Sequence, residues 1–310
     1  MTKEIRLITY NIDGLPYEID LNNLPWILKP LAWGYKLFKG TTKVVINDNT
    51  DRAEKISEIS KLLNEYNADI IGVQEDFNYH KELIEHLPEY KDSTHTGRID
   101  TNKLFSNLKR IILPKFKGDG LNLLTKKDRV SVIGEDIIPW KKSFGYTGHA
   151  NDKLTSKGFR FYSLIVDNDI VIDVYLVHMD ADFYNAKDNT DVKGDIKARK
   201  AQLDQLCEYI NNRYNKGIYN PVIIFGDTNS TDKYTWDTDN INSTILSIQG
   251  AEEAVCSTKD VDRLFYINNP MSAYRIECKA AEYGPKGLSD HMPFIVDLTI
   301  VENNYGYRFN

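Results

Sequence analysis

The sequence predicts an α/β (α+β) fold on mixed β-structure, and three observations lead there. A strand, a helix and a second strand follow one another early in the chain, an order that suggests a parallel crossover unit. Two β-rich runs, residues 159–166 and 170–178, are separated by Asp167-Asn168-Asp169, turn formers that favour an antiparallel hairpin. Third, five hydrophobic runs each end on a carboxylate, amide or histidine that a packed core would not require.

Residues 5–10 read as the first strand. Thr50 or Asp51 then suits the cap of a helix in which Ile56, Ile59, Leu63 and Tyr66 recur at helical spacing. Residues 69–74, rich in isoleucine and valine, form the next strand. After the hairpin, residues 195–214 give the best helical pattern of the chain, with Ile196, Leu203, Leu206 and Ile210 on one face and charges opposite. A buried strand follows at 222–225, and runs at 263–267, 273–278 and 294–300 complete the strand inventory. No internal repeat or low-complexity tract interrupts this order.

At 310 residues the chain has room for one large or two ordinary domains, and no segment resembles a linker, so a single unit over 1–310 is expected. A hydrophobic content of 41% supports a sizeable core. Lys plus Arg number 39 against 45 Asp plus Glu, a net charge of -6, which disfavours tight non-specific binding to a nucleic-acid backbone. Cys207, Cys256 and Cys278 are odd in number and far apart, against both a disulfide framework and a thiolate metal site. With no apolar leader ahead of the first strand, a cytoplasmic location is expected, and so is a monomer.

The region 24–46 is an aromatic insertion. Trp26, Trp33, Tyr35 and Phe38 crowd between prolines and lysines, too short and too interrupted to span a bilayer, which needs ~20 apolar residues. Two readings stand: an insertion that packs over the core, or an aromatic lip in which Trp26 and Trp33 make peripheral contact with a membrane.

The polar strand ends carry the functional signal. They are Asn11 after residues 7–10, Glu75 after 70–74, His178 after 170–177, Asp227 and Asn229 after 222–226, and Asp290-His291 before 293–298. Gathered at one rim of a sheet, they would form a hard-cation site with histidines beside it. Mg²⁺ prefers oxygen ligands and is commonly held by one or two carboxylates plus a substrate phosphate. Neither a Gly-x-Ser-x-Gly elbow nor a phosphate-cradling Gly-x-x-x-x-Gly-Lys loop is present, and the 6 histidines lack zinc spacing.

Thr9-Tyr10-Asn11-Ile12-Asp13-Gly14, Val73-Gln74-Glu75, His178-Met179-Asp180-Ala181, Gly226-Asp227-Thr228-Asn229, Asp262-Arg263 and Ser289-Asp290-His291, taken in order, resemble the motif set of the endonuclease/exonuclease/phosphatase superfamily. The resemblance spans residues 5–298. It implies a four-layer α/β/β/α sandwich of two packed mixed β-sheets, with the site at one edge, and magnesium-assisted hydrolysis of a phosphoester, Mn²⁺ being a substitute. It further implies Glu75 as main metal ligand, supported by Asn11 and Asp290 directly or through water. His291, oriented by Asp262, would contact the phosphate or deprotonate water, and Asp227 would position that water; which of the two takes the proton stays open. Asn229 and His178 would face the phosphoryl or leaving oxygens, and Lys157 would bind the phosphate. Asp13, Asp76, Asp180 and Asp182 lie beside these positions and are not taken as catalysts.

Substrate class divides the resemblance. Ser156-Lys157-Gly158 with His178-Met179-Asp180-Ala181 is similar to the neutral sphingomyelinase branch, although Asp180 stands where that branch usually has glutamine. Together with the aromatic insertion and acidic balance, this favours a lipid head-group or small phosphodiester. Asn11-Ile12-Asp13-Gly14 and Gly226-Asp227-Thr228-Asn229 look instead like the tyrosyl-DNA phosphodiesterase branch, whose substrate is a nucleic-acid end. Phosphomonoesters, and a non-catalytic binding module on the same fold, are the remaining alternatives.

Overall fold

The computed structural model describes residues 2–15, 18–20, 36, 43–45, 51–93, 118–144, 157–182, 192–230, 235–257 and 260–303. In chain order the elements are β1 (Thr2–Asn11), β2 (Glu18–Asp20), β3 (Lys43–Val45), α1 (Arg52–Tyr66), β4 (Ile70–Gln74), α2 (His80–Ile84), β5 (Tyr90–Asp92) and β6 (Asn122–Lys126). They continue with β7 (Val130–Pro139), β8 (Gly158–Val166), β9 (Ile170–His178), α3 (Val192–Tyr214), β10 (Val222–Asp227) and α4 (Thr235–Ser243). A 3₁₀ turn (Ile245–Ser247), β11 (Ala251–Glu253), β12 (Asp262–Ile267), β13 (Tyr274–Tyr283) and β14 (Phe294–Glu302) complete the set. Of the aromatic insertion only Lys36 and β3 are described; Trp26 and Trp33 lie outside the described residues.

Two six-stranded sheets form, in the orders β13-β14-β1-β4-β6-β5 and β11-β12-β10-β9-β8-β7, while β2 and β3 pair separately. Each large sheet is mixed. The parallel pairs are β1 with β4 and β9 with β10, joined across α1 and α3 respectively, and their neighbours run antiparallel.

Strand alternation assigns the layers. Ile5, Leu7 and Ile70 from the first sheet meet Ile172, Val174, Leu176, Ile223 and Phe225 from the second in one inter-sheet core. The opposite-parity residues Ile8, Tyr10, Ile71 and Val73 pack on Ile56, Ile59 and Leu63 of α1. Likewise Tyr175, Val177, Val222 and Ile224 pack on Leu203, Leu206 and Ile210 of α3. The result is the four-layer α/β/β/α sandwich. Gly72 leaves room for the facing sheet: a Cβ there would stand 2.4 Å from the Phe225 ring and 2.6 Å from Leu176.

Local chemistry explains most boundaries. The α1 helix ends where Asn67 adopts a left-handed backbone (φ 51°) and donates its N–H to Asn64 O. Asp51 occupies the N-cap position but makes no side-chain capping bond; its carboxylate lies 3.6 Å from Lys55 instead. In the β8–β9 hairpin Asp167 and Asn168 take φ 49° and 58°, a conformation that Asp and Asn tolerate better than most residues. Nine described elements had no counterpart in the sequence reading: β2, β3, α2, β5, β6, β7, α4, the 3₁₀ turn and β11.

Candidate active site

The site continues the inter-sheet core to its polar edge. On β1 the inward row Ile5, Leu7, Thr9 reaches Asn11; on β9 the row Ile172, Val174, Leu176 reaches His178; on β10 Ile223 and Phe225 lead to Asp227. The antiparallel β12 enters from the same edge, with Asp262 before Leu264 and Tyr266. Registry places Asp227 beside His178 on one side and Asp262 on the other, so three strand ends deliver one row of side chains. Gly226 enables the approach of β10 to β9: its φ is 140°, and a Cβ would lie 2.1 Å from Val177 O.

Two backbone turns supply what alternation cannot. Glu75 follows the inward-facing Gln74 and would point away, but its left-handed backbone (φ 60°) brings the carboxylate to Asn11. Such a conformation costs a non-glycine residue about 1–3 kcal/mol, and it is held by Asp76 N–H donating to Gly120 O (2.9 Å) and Phe77 N–H donating to Glu75 O (2.8 Å). Asn229 (φ 50°) turns likewise, its N–H donating to Asp227 Oδ1 at 2.9 Å and its Nδ2 to Met179 O at 3.0 Å.

Asn11 ties the two sheets together. Its Nδ2 donates to Asp227 Oδ2 at 3.1 Å and to Glu75 Oε1 at 3.3 Å, while Oδ1 accepts the Asp13 N–H at 3.0 Å. Because a backbone N–H only donates, that contact fixes which amide atom faces inward. His178 Nε2 lies 3.5 Å from Asp227 Oδ2 and 3.9 Å from Glu75 Oε1, and its buried Nδ1 has no hydrogen-bond partner among the described residues. His291 Nδ1 is 2.6 Å from Asp262 Oδ2, and its Nε2 is 3.8 Å from Asp227 Oδ2. Lys157, buried before β8, donates to Met179 O at 3.1 Å, so Lys157 and Asn229 share one carbonyl. Asp290 is exposed on the loop before β14.

Burial and neighbouring charge set the protonation states. Burial pushes the Glu75 carboxyl up, and Asp290 and Asp227 add to this, although Lys157 and Asn11 oppose it. For Asp227 burial also raises the pKa, but His291, His178, Lys157 and Asn11 outweigh it and hold the group below the ordinary carboxylate value. His178 is driven well below the usual imidazole range by burial, with Lys157 and His291 repelling a second charge. Burial would lower His291 too, yet Asp262, Asp227 and Asp290 raise it to about 11. The proton shared by His291 and Asp262 therefore resides on the imidazole.

These strand ends, the two histidines and the carboxylates around them agree with a sequence match: the profile of the endonuclease/exonuclease/phosphatase family covers residues 8–266. The chain belongs to the endonuclease/exonuclease/phosphatase family. The matched stretch stops short of His291, which the fold itself brings to Asp262 and Asp227. Among solved structures, D. rerio TDP2 complexed with single strand DNA product is similar at a TM-score of 0.59 and 13% identity, over 95% of this chain and 98% of that one. Beta toxin from Staphylococcus aureus gives 0.57 and 13%, over 96% and 99%. An endonuclease/exonuclease/phosphatase from Bacteroides vulgatus gives 0.57 and 16%, over 96% and 98%. At these identities the likeness shows the fold. A comparison with curated proteins finds no match.

The endonuclease/exonuclease/phosphatase family is typically dependent on a divalent metal, and the donors here suit a hard cation. Glu75 is a carboxylate crowded by Asp227 and Asp290, the surplus negative charge that a divalent ion would neutralise. Asp227, Asp262 and His291 also bring ligand atoms within 4.8 Å of one another. There, however, Asp262 Oδ2 and His291 Nδ1 already pair at 2.6 Å, which reads as an oriented imidazole and not as an oxygen cage. Asn11 turns its NH₂ group to the carboxylates, so as placed it orients Glu75 and Asp227.

The acidic neighbours have other employment. Asp180 accepts from Gln202 Nε2 (2.6 Å) and Phe144 N (2.6 Å), Asp182 pairs with Arg199 (2.7 Å), Asp76 holds His80 (2.7 Å), and Asp13 pairs with Arg52. Two participants escaped the sequence reading. Ser289 Oγ donates to Asn11 O (2.7 Å) and accepts the His291 N–H (3.2 Å), and Arg52 is buried beneath the same loop. Nothing in an arginine one residue into an amphipathic helix distinguishes it from a solvated one. Among the described residues, no helix is long and apolar enough to cross a membrane.

Proposed function

We propose that this protein is a magnesium-dependent phosphodiesterase acting on a lipid head-group or other small phosphodiester, with Mn²⁺ able to replace Mg²⁺. The observation that carries the reading is the convergence of Glu75, Asp227, His178 and His291 at one buried edge, linked through Asn11 and Asp262. Glu75, with Asp290 beside it, would hold the ion. When bound, the ion would polarise a phosphoryl oxygen and offset charge in the transition state.

The chain's own groups would do the rest. Asp227, held ionised, is the better acceptor for the proton of an attacking water, because His291 already carries its proton near neutral pH. His291, locked by Asp262, then serves as a fixed cation and proton donor against phosphate oxygen. His178 is neutral, with Nε2 toward the carboxylates, and suits a hydrogen bond to a phosphoryl oxygen. Asn229 and Lys157, anchored on Met179 O, would add a neutral and a cationic donor on the same side. None of these contacts requires a covalent enzyme intermediate.

A second reading, cleavage at nucleic-acid ends, is favoured by the Asn11-Ile12-Asp13-Gly14 and Gly226-Asp227-Thr228-Asn229 segments. It also draws on the likeness to a D. rerio protein whose structure holds single strand DNA product. The net charge of -6 weighs against it. Activity of the purified protein on sphingomyelin, a 5′-tyrosyl oligonucleotide and a phosphomonoester, with and without Mg²⁺, tests both. Magnesium-dependent turnover greatest on sphingomyelin is expected; preference for the oligonucleotide would replace the first reading by the second. Inactivity on every substrate would indicate a binding module.

A further inference from the structure

Arg52, like Lys157, is a buried cation at this edge, and it belongs to no strand end. Its side chain is 5% exposed, at the first turn of α1, beneath two loops. One guanidinium nitrogen, Nη2, pairs with Asp13 Oδ2, and the other, Nη1, donates to Leu288 O at 3.2 Å. Asp13 belongs to the turn that begins at Asn11: its N–H donates to Asn11 Oδ1 and its backbone is left-handed at φ 48°. Leu288 immediately precedes Ser289, Asp290 and His291 in the loop between β13 and β14. Ser289 then closes the circuit by donating to Asn11 O at 2.7 Å and accepting the His291 N–H at 3.2 Å.

From this connectivity we infer that Arg52 is a positioning residue, a buried fork that fixes the loop bearing Asp290 and His291 against the turn bearing Asn11. The inference rests on the functional reading above for the meaning of those three residues, but the geometry it asserts does not. A planar guanidinium reaches two acceptors in fixed directions, whereas an ammonium of the same charge is a single point. Charge alone would therefore not replace it. Arg52 is also within electrostatic reach of Asp290 and Glu75, the carboxylates expected to hold the ion. Misplacement of a reacting group by about 1 Å costs on the order of 10²-fold in rate, which sets the scale of the effect.

The test compares Arg52→Lys with Arg129→Lys, whose parent arginine pairs with Asp69 and Asp167 away from these loops and serves as the structural control. Two quantities are read on folded protein: kcat and KM on bis(4-nitrophenyl) phosphate with Mg²⁺, and the Mn²⁺ dissociation constant by calorimetry without substrate. For Arg52→Lys, kcat is expected to fall about 10- to 100-fold with KM nearly unchanged, and Mn²⁺ to bind several-fold more weakly. Arg129→Lys is expected to leave both at wild-type values while lowering the melting temperature. Wild-type kcat and Mn²⁺ affinity in Arg52→Lys would overturn the proposal. If that variant fails to fold, Asp13→Asn, which removes the partner charge, is read by the same criteria. Should the wild type hydrolyse no phosphoester while Arg52→Lys still weakens Mn²⁺ binding, the functional reading falls and the positioning role stands.

Discussion

Buried charge is treated in two different ways within this one fold. Away from the strand ends, Arg160 and Asp119 meet as a fork: Nε donates to Oδ2 at 2.8 Å and Nη2 to Oδ1 at 2.7 Å. Arg199 meets Asp237 in the same manner at 3.1 and 2.8 Å, and its third nitrogen reaches the Asp180 carbonyl. At the site no such fork closes on Glu75 or Asp227 among the described residues, whose influences there are an amide, two imidazoles and a lysine held on a carbonyl. The first arrangement balances charge inside the protein. The second leaves Glu75 and Asp227 without a guanidinium partner among the described residues, the arrangement that separates a candidate cation site from a structural pair.

The sharpest way to break this contrast is to remove one member of each kind. His291→Ala is expected to lower kcat by about 10²–10⁴-fold, measured by steady-state kinetics, with a smaller fall in melting temperature by calorimetry than loss of a fully buried fork, because the His291 ring is only partly buried. Asp119→Ala should do the reverse. It removes the carboxylate partner of a fully buried Arg160, costs about 3–5 kcal/mol in denaturant unfolding, and lowers kcat per folded molecule far less than His291→Ala does. If both variants lose rate and stability alike, the two kinds of charge do not differ.

Asp262→Asn keeps the His291 ring in place and should cost less in kcat than His291→Ala, since orientation and charge are weakened but not removed. A wild-type rate would take Asp262 out of the site. Smaller still is the effect expected at His80, whose Nδ1 and Nε2 lie 2.7 and 2.9 Å from Asp76 and Asp92. Burial would lower this imidazole, but the two carboxylates raise it. A raised folded value means that the clamp stabilises fully below the unfolded pKa of about 6.5 and is lost as pH rises through the folded value. The melting-temperature deficit of His80→Gln should accordingly shrink with increasing pH, and a constant deficit would show that charge plays no part.

How much of this was legible in sequence depends on the residue. Asn11, His178 and Asp227 were readable because each replaces an apolar side chain at an inward parity position, where polarity needs a reason. The pairing of Asp262 with His291, 29 residues apart, was legible only through the family resemblance; the left-handed backbone of Glu75 needed the fold, since nothing in a glutamate announces it, whereas Asn229 is a residue type that tolerates that conformation. Edge strand β7 was missed because most of its residues are exposed, so no clean alternation marks it. The α4 helix was missed because Thr, Asp, Asn and Ser dominate it; it is held by buried Ile241 and by Arg199 gripping Asp237. Arg52 escaped because its meaning lies in a contact with Leu288 O, 236 residues away.

The central claim, that the open carboxylate cluster around Glu75 takes up a divalent ion for phosphodiester hydrolysis, is tested most directly by one kinetic comparison. Turnover of bis(4-nitrophenyl) phosphate is measured for wild type and Glu75→Gln across a Mg²⁺ titration that begins in chelator. The account predicts wild-type turnover that vanishes in chelator and saturates with Mg²⁺, and no saturable activity in Glu75→Gln. Turnover of wild type in chelator, or a Glu75→Gln titration that overlays the wild type, would contradict it.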